Sequence, residues 1–135
     1  MLHFRVGPIA YPVGTGEFLG SFFDTIAVLL EGGSRGSRFP ALASLYENGE
    51  LAPQLAGAAR AQLAEAAVAL AAFAPAEVVW DIDDPSLKPP WGDSIAPTIR
   101  TLAEYHVTSD GRQLIAVLDT ALDASARVDK PLRIA

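Results

Sequence analysis

The stretch Glu77 to Pro97, EVVWDIDDPSLKPPWGDSIAP, divides the chain, because no helix can run through it. Proline fixes φ and lacks a backbone donor, so Pro85, Pro89, Pro90 and Pro97 interrupt any hydrogen-bonded ladder. The stretch also holds both tryptophans and five acids against one lysine, so it carries −4 of the chain's formal −6. An apolar strand-like run, Val78 to Ile82, breaks there into a stiff, acidic, aromatic loop. That combination suits gripping a partner better than covalent chemistry.

Ahead of the loop the pattern is mainly helical. Leu2 to Val6 reads as a short strand ended by Gly7-Pro8, and the segment after it is turn-rich, with Pro12, Gly14 and Gly16. Phe18, Leu19, Phe22, Phe23, Ile26, Leu29 and Leu30 recur at helical spacing, which predicts a helix over Glu17 to Glu31 with one broad apolar face. Gly32-Gly33 ends it, since glycine readily takes the left-handed C-cap conformation. A short helix is expected from Phe39 to Asn48, with Pro40 in its first turn and Gly49 closing it. A long helix follows from Ala52 to Phe73, where Leu55, Ala59, Leu63, Ala66, Leu70 and Phe73 trace a single stripe. Its alanines admit a neighbouring element closely, and Pro75 stops it.

Beyond the loop, a second strand is placed at Ala103 to Val107. The turn Thr108-Ser109-Asp110-Gly111 offers an N-cap oxygen to a fourth helix, Arg112 to Val128. Leu114, Leu118, Ala121, Leu122 and Ser125 fall on one face of that helix, and Leu132 to Ile134 reads as a last edge strand. The expected architecture is one α+β domain over residues 1–135, a small sheet of about four strands with three to four helices packed against it.

A globular chain of 135 residues buries roughly 65–70% of its unfolded surface, enough for a core. The longest apolar run, Ala66 to Ala76, is 11 residues and contains Pro75, whereas a membrane-spanning helix needs about 20. MLHFRV has no basic region leading into an apolar segment, so no secretory signal is read and a cytoplasmic location is expected. Cysteine is absent, which excludes disulfides, thiol catalysis and Cys-ligated zinc or iron–sulfur sites. The acidic balance argues against nucleic-acid binding, because phosphates would repel the protein. It favours a basic partner drawn in by long-range attraction.

The candidate chemical groups divide unevenly. Asp81, Asp83 and Asp84 invite a calcium reading, but a calcium loop counted from Asp81 puts Pro85, Ser86 and Gly92 where the motif needs an oxygen ligand, a glycine and a bidentate glutamate. No dedicated metal site or cofactor is expected. The acids read either as a solvated turn capping local N–H groups or as a partner-facing patch. Trp80 reads as core. Trp91 either pins the loop to the body through its N–H or anchors an interface. His3 and His106 lie in strand-like runs with no Cys or close His beside them. A Ser–His–Asp set draws on residues distant in the chain, so it stays open for His106, yet no G-x-S-x-G elbow is present. Gly14-x-Gly16 has Leu19 where a dinucleotide fingerprint needs its third glycine, and Gly32 to Arg38 lacks the Gly-Lys-Ser/Thr of a phosphate loop. Arg35 and Arg38 either grip an anion or pair with acids of the same domain.

The runs Gly36-Ser-Arg-Phe-Pro40, Leu45-Tyr46-x-x-Gly49, Val79-Trp80-Asp81-Ile82-x-Asp84, Pro89-Pro90-Trp91-Gly92-Asp93-x-Ile95 and Val107-Thr-Ser-Asp-Gly111 with Leu114 together resemble the bacterial immunity protein 70 family. The likeness spans Phe18 to Ile134 and is most specific in the Pro-Pro-Trp-Gly-Asp run and the Thr-Ser-Asp-Gly turn. It implies a cytoplasmic antidote of a polymorphic toxin system. Such a protein binds the toxic C-terminal domain of a cognate effector, a nuclease being one candidate, and inhibits it by occupying a surface rather than by catalysis. The residues expected to meet that partner are Asp81, Asp83, Asp84, Trp91 and Asp93, with no cofactor, metal, nucleic acid or membrane, and with homodimerisation open. The alternatives are a non-catalytic regulatory or scaffold module using the same loop for an endogenous protein, and a small hydrolase whose acids meet only in the fold.

Overall fold

Alternation along Leu2–Val6 (β1) sends Phe4 and Val6 inward, both fully buried. The chain turns at Gly7-Pro8 and returns antiparallel along Ile9–Gly14 (β2), with Val6 opposite Ile9. Gly7 sits at φ 55, a conformation open to glycine in a two-residue hairpin. The turn-rich reading of this segment missed β2. Pro12 is tolerated there because β2 is the edge of the sheet, where a missing donor leaves no ladder bond unmade.

Gly16–Leu30 (α1) follows the predicted periodicity, and Thr15 Oγ1 accepts the Phe18 N–H at 3.1 Å as its cap. Pro40–Asn48 (α2) ends at Gly49, which is left-handed at φ 70. Phe39 cannot cap α2, so a distant side chain does: Gln62 Oε1 accepts the N–H groups of Ala41 at 2.9 Å and Leu42 at 3.3 Å. Gln62 belongs to Ala56–Leu70 (α3), which is shorter than expected because Pro53–Leu55 forms a separate 3₁₀ turn. Leu55 is therefore exposed, while Ala56, Ala59, Leu63, Ala66 and Leu70 make the buried stripe. Leu114–Val128 (α4) packs on α3, and Arg60 reaches across to Asp119 at 2.9 Å and Asp123 at 3.1 Å.

Two further strands complete the sheet. Glu50–Leu51 (β3) was not foreseen, being only two residues long. Leu132–Ile134 (β4) was expected at an edge but lies inside, paired to β1 and β3 in the order β2-β1-β4-β3, antiparallel throughout. The fold is α+β: four helices, and a four-stranded sheet. One apolar cluster of 25 buried residues joins them, with Phe22, Leu42, Leu63 and Leu118 contributed by the helices and Phe4 and Leu132 by the strands. The computed structural model describes all residues from 1 to 135.

Two expected strands are absent. Val78 to Ile82 follows a 3₁₀ turn at Pro75–Glu77 as irregular chain. Ala103 to Val107 contains a 3₁₀ turn, Leu102–Glu104, and a single bridge from Val107 to Gln113. Val78 to Ile82 is mostly apolar and Ala103 to Val107 is mixed, and neither joins the sheet. Their backbone groups bond elsewhere: the Val78 N–H donates to the Pro75 carbonyl at 3.2 Å, and the His106 carbonyl accepts the Leu114 N–H at 2.9 Å.

The close fit of the alanine stripe predicts a face-specific response. Ala59→Leu should lower the unfolding free energy by about 1–3 kcal/mol through overpacking. Ala58→Leu, on the exposed face of α3, should stay within about 0.5 kcal/mol. Urea titrations followed by circular dichroism distinguish the two.

Candidate functional site

The acidic stretch is held by three polar residues on the otherwise apolar face of α1. Ser21, Asp24 and Thr25 are buried among phenylalanines, where an unpaired polar group would cost free energy. Their partners are backbone groups of residues 79–82. Thr25 Oγ1 accepts the Val79 N–H at 3.1 Å and also faces the Val79 carbonyl at 3.1 Å. Ser21 Oγ donates to that carbonyl at 2.7 Å, and Asp24 Oδ2 accepts the Ile82 N–H at 3.0 Å. A side-chain clamp thus replaces the β-ladder expected for this run.

Beyond the clamp the acids bend the chain locally. Asp81 Oδ1 accepts the Asp83 N–H at 2.8 Å, and Asp84 Oδ1 accepts from the Ser86 N–H at 3.2 Å and the Ser86 hydroxyl. These are the local caps anticipated for such residues. The loop then folds back on Trp91, whose Nε1 donates to the Tyr105 hydroxyl at 2.7 Å. The Trp80 and Trp91 rings meet edge to face, 5.4 Å between centroids. Trp91 is therefore pinned, yet 43% of its surface stays exposed, so it is also available to a partner. Burial raises the Tyr105 pKa, partly opposed by the Trp91 hydrogen bond, so the phenol stays protonated while it accepts from Trp91.

A groove of about 720 Å³ opens between α1, Tyr46 and this loop. Glu17, Asp24, Asp81 and Asp83 line it with Trp80 and Tyr46, against the two cations Arg35 and Lys88. Arg35 is committed: its Nη2 donates to Asp24, and its guanidinium lies 5.0 Å from the centre of the Tyr46 ring. The carboxylates left without an ion pair are Glu17, Asp81 and Asp83. Burial, with Asp24 close by, raises the Tyr46 pKa. On the other side of Trp91 lies an apolar notch of about 280 Å³, walled by Phe18, Ile95, Ile99 and Val107.

The five residues singled out from sequence do not form one cluster. Asp81 and Asp83 share the groove. Asp84 is exposed and turned to Ser86, and Asp93 lies apart, exposed, with Lys88 at 3.8 Å. Trp91 borders the notch. Glu17 and Asp24 were missed. The signal was present in Ser21, Asp24 and Thr25, which interrupt an apolar helical face at the 3–4 residue spacing of a shared surface.

The other candidate groups resolve into structure. The glycine-rich linker after α1 does cradle an anion, but the anion is Glu31. Its Oε2 accepts N–H groups from Gly36 at 2.9 Å, Arg38 at 3.1 Å and Phe39 at 3.0 Å. Arg38 pairs with Glu65 at 3.0 Å. His106 Nε2 lies 3.2 Å from Ser21 Oγ. The Ser21 proton is already given to Val79, so Nε2 must carry the hydrogen and donate. Serine and imidazole are buried among Phe18, Phe22 and Tyr105, and no carboxylate bonds the ring. That arrangement runs opposite to base activation of a serine. No three His, Asp or Glu side chains converge as metal ligands, and no helix is long and apolar enough to cross a membrane.

Fold and surface together define an α+β protein whose most developed feature is an acid-lined groove flanked by tryptophans. The family model described as immunity protein 70 matches residues 4–134, and the chain belongs to that family. No curated protein matches the chain, and no solved structure does.

Burial lowers the His106 pKa from 6.5 to about 3. The unfolded chain takes up this proton as pH falls through 6.5, while the folded chain resists it until about 3. The stability contribution is therefore complete above pH 6.5 and is lost as pH falls below it. Between pH 7 and 5 the loss should be roughly 2 kcal/mol. Denaturation midpoints across this range should show that slope in the native chain and not in His106→Gln.

Proposed function

We propose that this protein neutralises the toxic domain of a cognate polymorphic toxin by docking its acid-lined groove and the tryptophan loop onto a basic surface of that domain. The family supports the role of immunity protein. The observation that carries the mode of binding is the groove itself, where Glu17, Asp81 and Asp83 face outward beside Trp80 and Tyr46. Carboxylates beside the half-buried Trp80 ring suit lysine and arginine side chains, which pair with the former and can contact the latter. The protein acts in the cytoplasm, as one unit, by occupying a surface and without turning over a substrate.

A nuclease is the toxin class this surface fits best. A nuclease cleft carries cations arranged for phosphates, and a rigid row of carboxylates can take the place of those phosphates. The apolar notch beside Trp91 supplies the second component, a site for an apolar anchor that slows dissociation.

Two predictions separate these components. Asp83→Lys with Asp84→Lys should slow association with the cognate toxin about tenfold or more at low salt, the difference fading toward 0.5 M as screening shortens to about 4 Å. Stopped-flow association rates across that range measure it, and unchanged rates would remove the acidic loop from the mechanism. Trp91→Phe, which keeps a ring but loses the bond to Tyr105, should cost about 1 kcal/mol of stability. Its dissociation rate should rise less than that of Trp91→Ala, as read by surface plasmon resonance.

A further inference from the structure

Of the ten lysines and arginines, six are engaged in ion pairs. Three of the remaining four, Arg5, Lys130 and Arg133, gather on one surface, lining a depression of about 220 Å³ with Gly7 and Pro131 and no acid. This is the outer face of the sheet, opposite the side on which Phe4, Val6 and Leu132 are buried. Arg5 and Arg133 are directly opposed across β1 and β4. Like charges in that register repel and destabilise a sheet. Arg133 also faces Glu50 of β3 in register, yet the depression itself is lined by three cations and no acid, in a chain of formal charge −6.

The third cation starts from a fixed backbone position. Lys130 is tied by its backbone to Ser125, whose hydroxyl donates to the Lys130 carbonyl at 2.6 Å. Its stem crosses the β1–β2 turn so closely that a Cβ on Gly7 would stand 2.9 Å from Lys130 Cδ. The φ of 55 favours glycine at the turn, and the Lys130 stem lies over the space its missing side chain leaves.

From this geometry we infer that the depression bounded by Arg5, Lys130 and Arg133 binds a compact, multiply charged phosphate group. Two guanidinium forks and an ammonium offer donors from three sides, which matches a phosphate or diphosphate better than a single carboxylate. The depression equals about seven water volumes, room for one such group and its remaining hydration. A long nucleic acid is disfavoured, because the rest of the surface is negative and would repel the strand beyond the site. The inference is independent of toxin binding, since the sheet face shares no residue with the acidic groove.

The test is titration of the purified full chain with inorganic pyrophosphate at constant ionic strength, followed by amide chemical shifts and calorimetry. Saturable shifts at Arg5, Gly7, Lys130 and Arg133 are expected, with dissociation below about 1 mM, and with Lys130→Gln and Arg133→Gln each weakening it about tenfold. Arg5→Gln should melt no lower than the native chain, because it relieves the like-charge pair while leaving Arg133 opposite Glu50, whereas a structural arginine would lower the melting temperature. Adenosine 5′-diphosphate in parallel separates the sources of the group: equal affinity assigns recognition to the diphosphate alone, and tighter binding assigns it to a nucleotide. No saturable shift up to about 10 mM pyrophosphate, equal binding by both variants, or an oligonucleotide binding more tightly through the same residues would overturn the inference.

Discussion

The placement of the functional surface depends on three polar side chains in an apolar face. Ser21, Asp24 and Thr25 are buried on α1, where leaving them unpaired would cost several kcal/mol together. They are satisfied by the peptide groups of Val79 and Ile82. The requirement is mutual. An irregular segment must also pair its backbone donors and acceptors, and this one joins no strand of the sheet. Helix side chains and loop backbone therefore complete each other, and the acidic loop leaves the clamp in one defined direction.

That direction brings aromatic and acidic groups together. Trp80 stands between the groove and Trp91, and Trp91 is held by the Tyr105 hydroxyl. Tyr105 in turn contacts His106, which donates to Ser21 and so returns to the clamp. A polar network enclosed by aromatic rings joins the loop to the core. Networks of this kind gain rigidity when every member is satisfied. A rigid loop loses little conformational entropy on binding, which favours affinity in the proposed docking of this loop.

Charge is distributed with equal economy. Arg35, Arg38 and Arg60 are spent on internal pairs with Asp24, Glu65, Asp119 and Asp123. The glycine-rich linker folds its N–H groups around Glu31 rather than an external anion. What remains is a negative groove at the loop and a positive patch on the bare face of the sheet, on different elements of the fold. The two surfaces share no lining residue.

Much of the fold was legible from local signals. The phenylalanine and leucine spacing marked α1, the alanine stripe marked α3, and Gly49 marked where α2 ends, because helical periodicity and backbone limits act within a few residues, whereas α3 ends at Leu70, ahead of the Phe73 expected before Pro75. The charge and aromatic content of Glu77 to Pro97, and the family resemblance, were likewise readable along the chain. The tertiary structure alone decided that Val78 to Ile82 is clamped by α1 instead of laddered, that two residues at Glu50–Leu51 suffice for a strand, and that β4 lies inside the sheet. It also decided which acids meet, joining Asp81 and Asp83 to Glu17 while leaving Asp84 and Asp93 apart. The physical reason is the range of the interactions. Periodicity and propensity are properties of neighbours in sequence, whereas a hydrogen-bond partner for a buried peptide group can come from any part of the chain that reaches it.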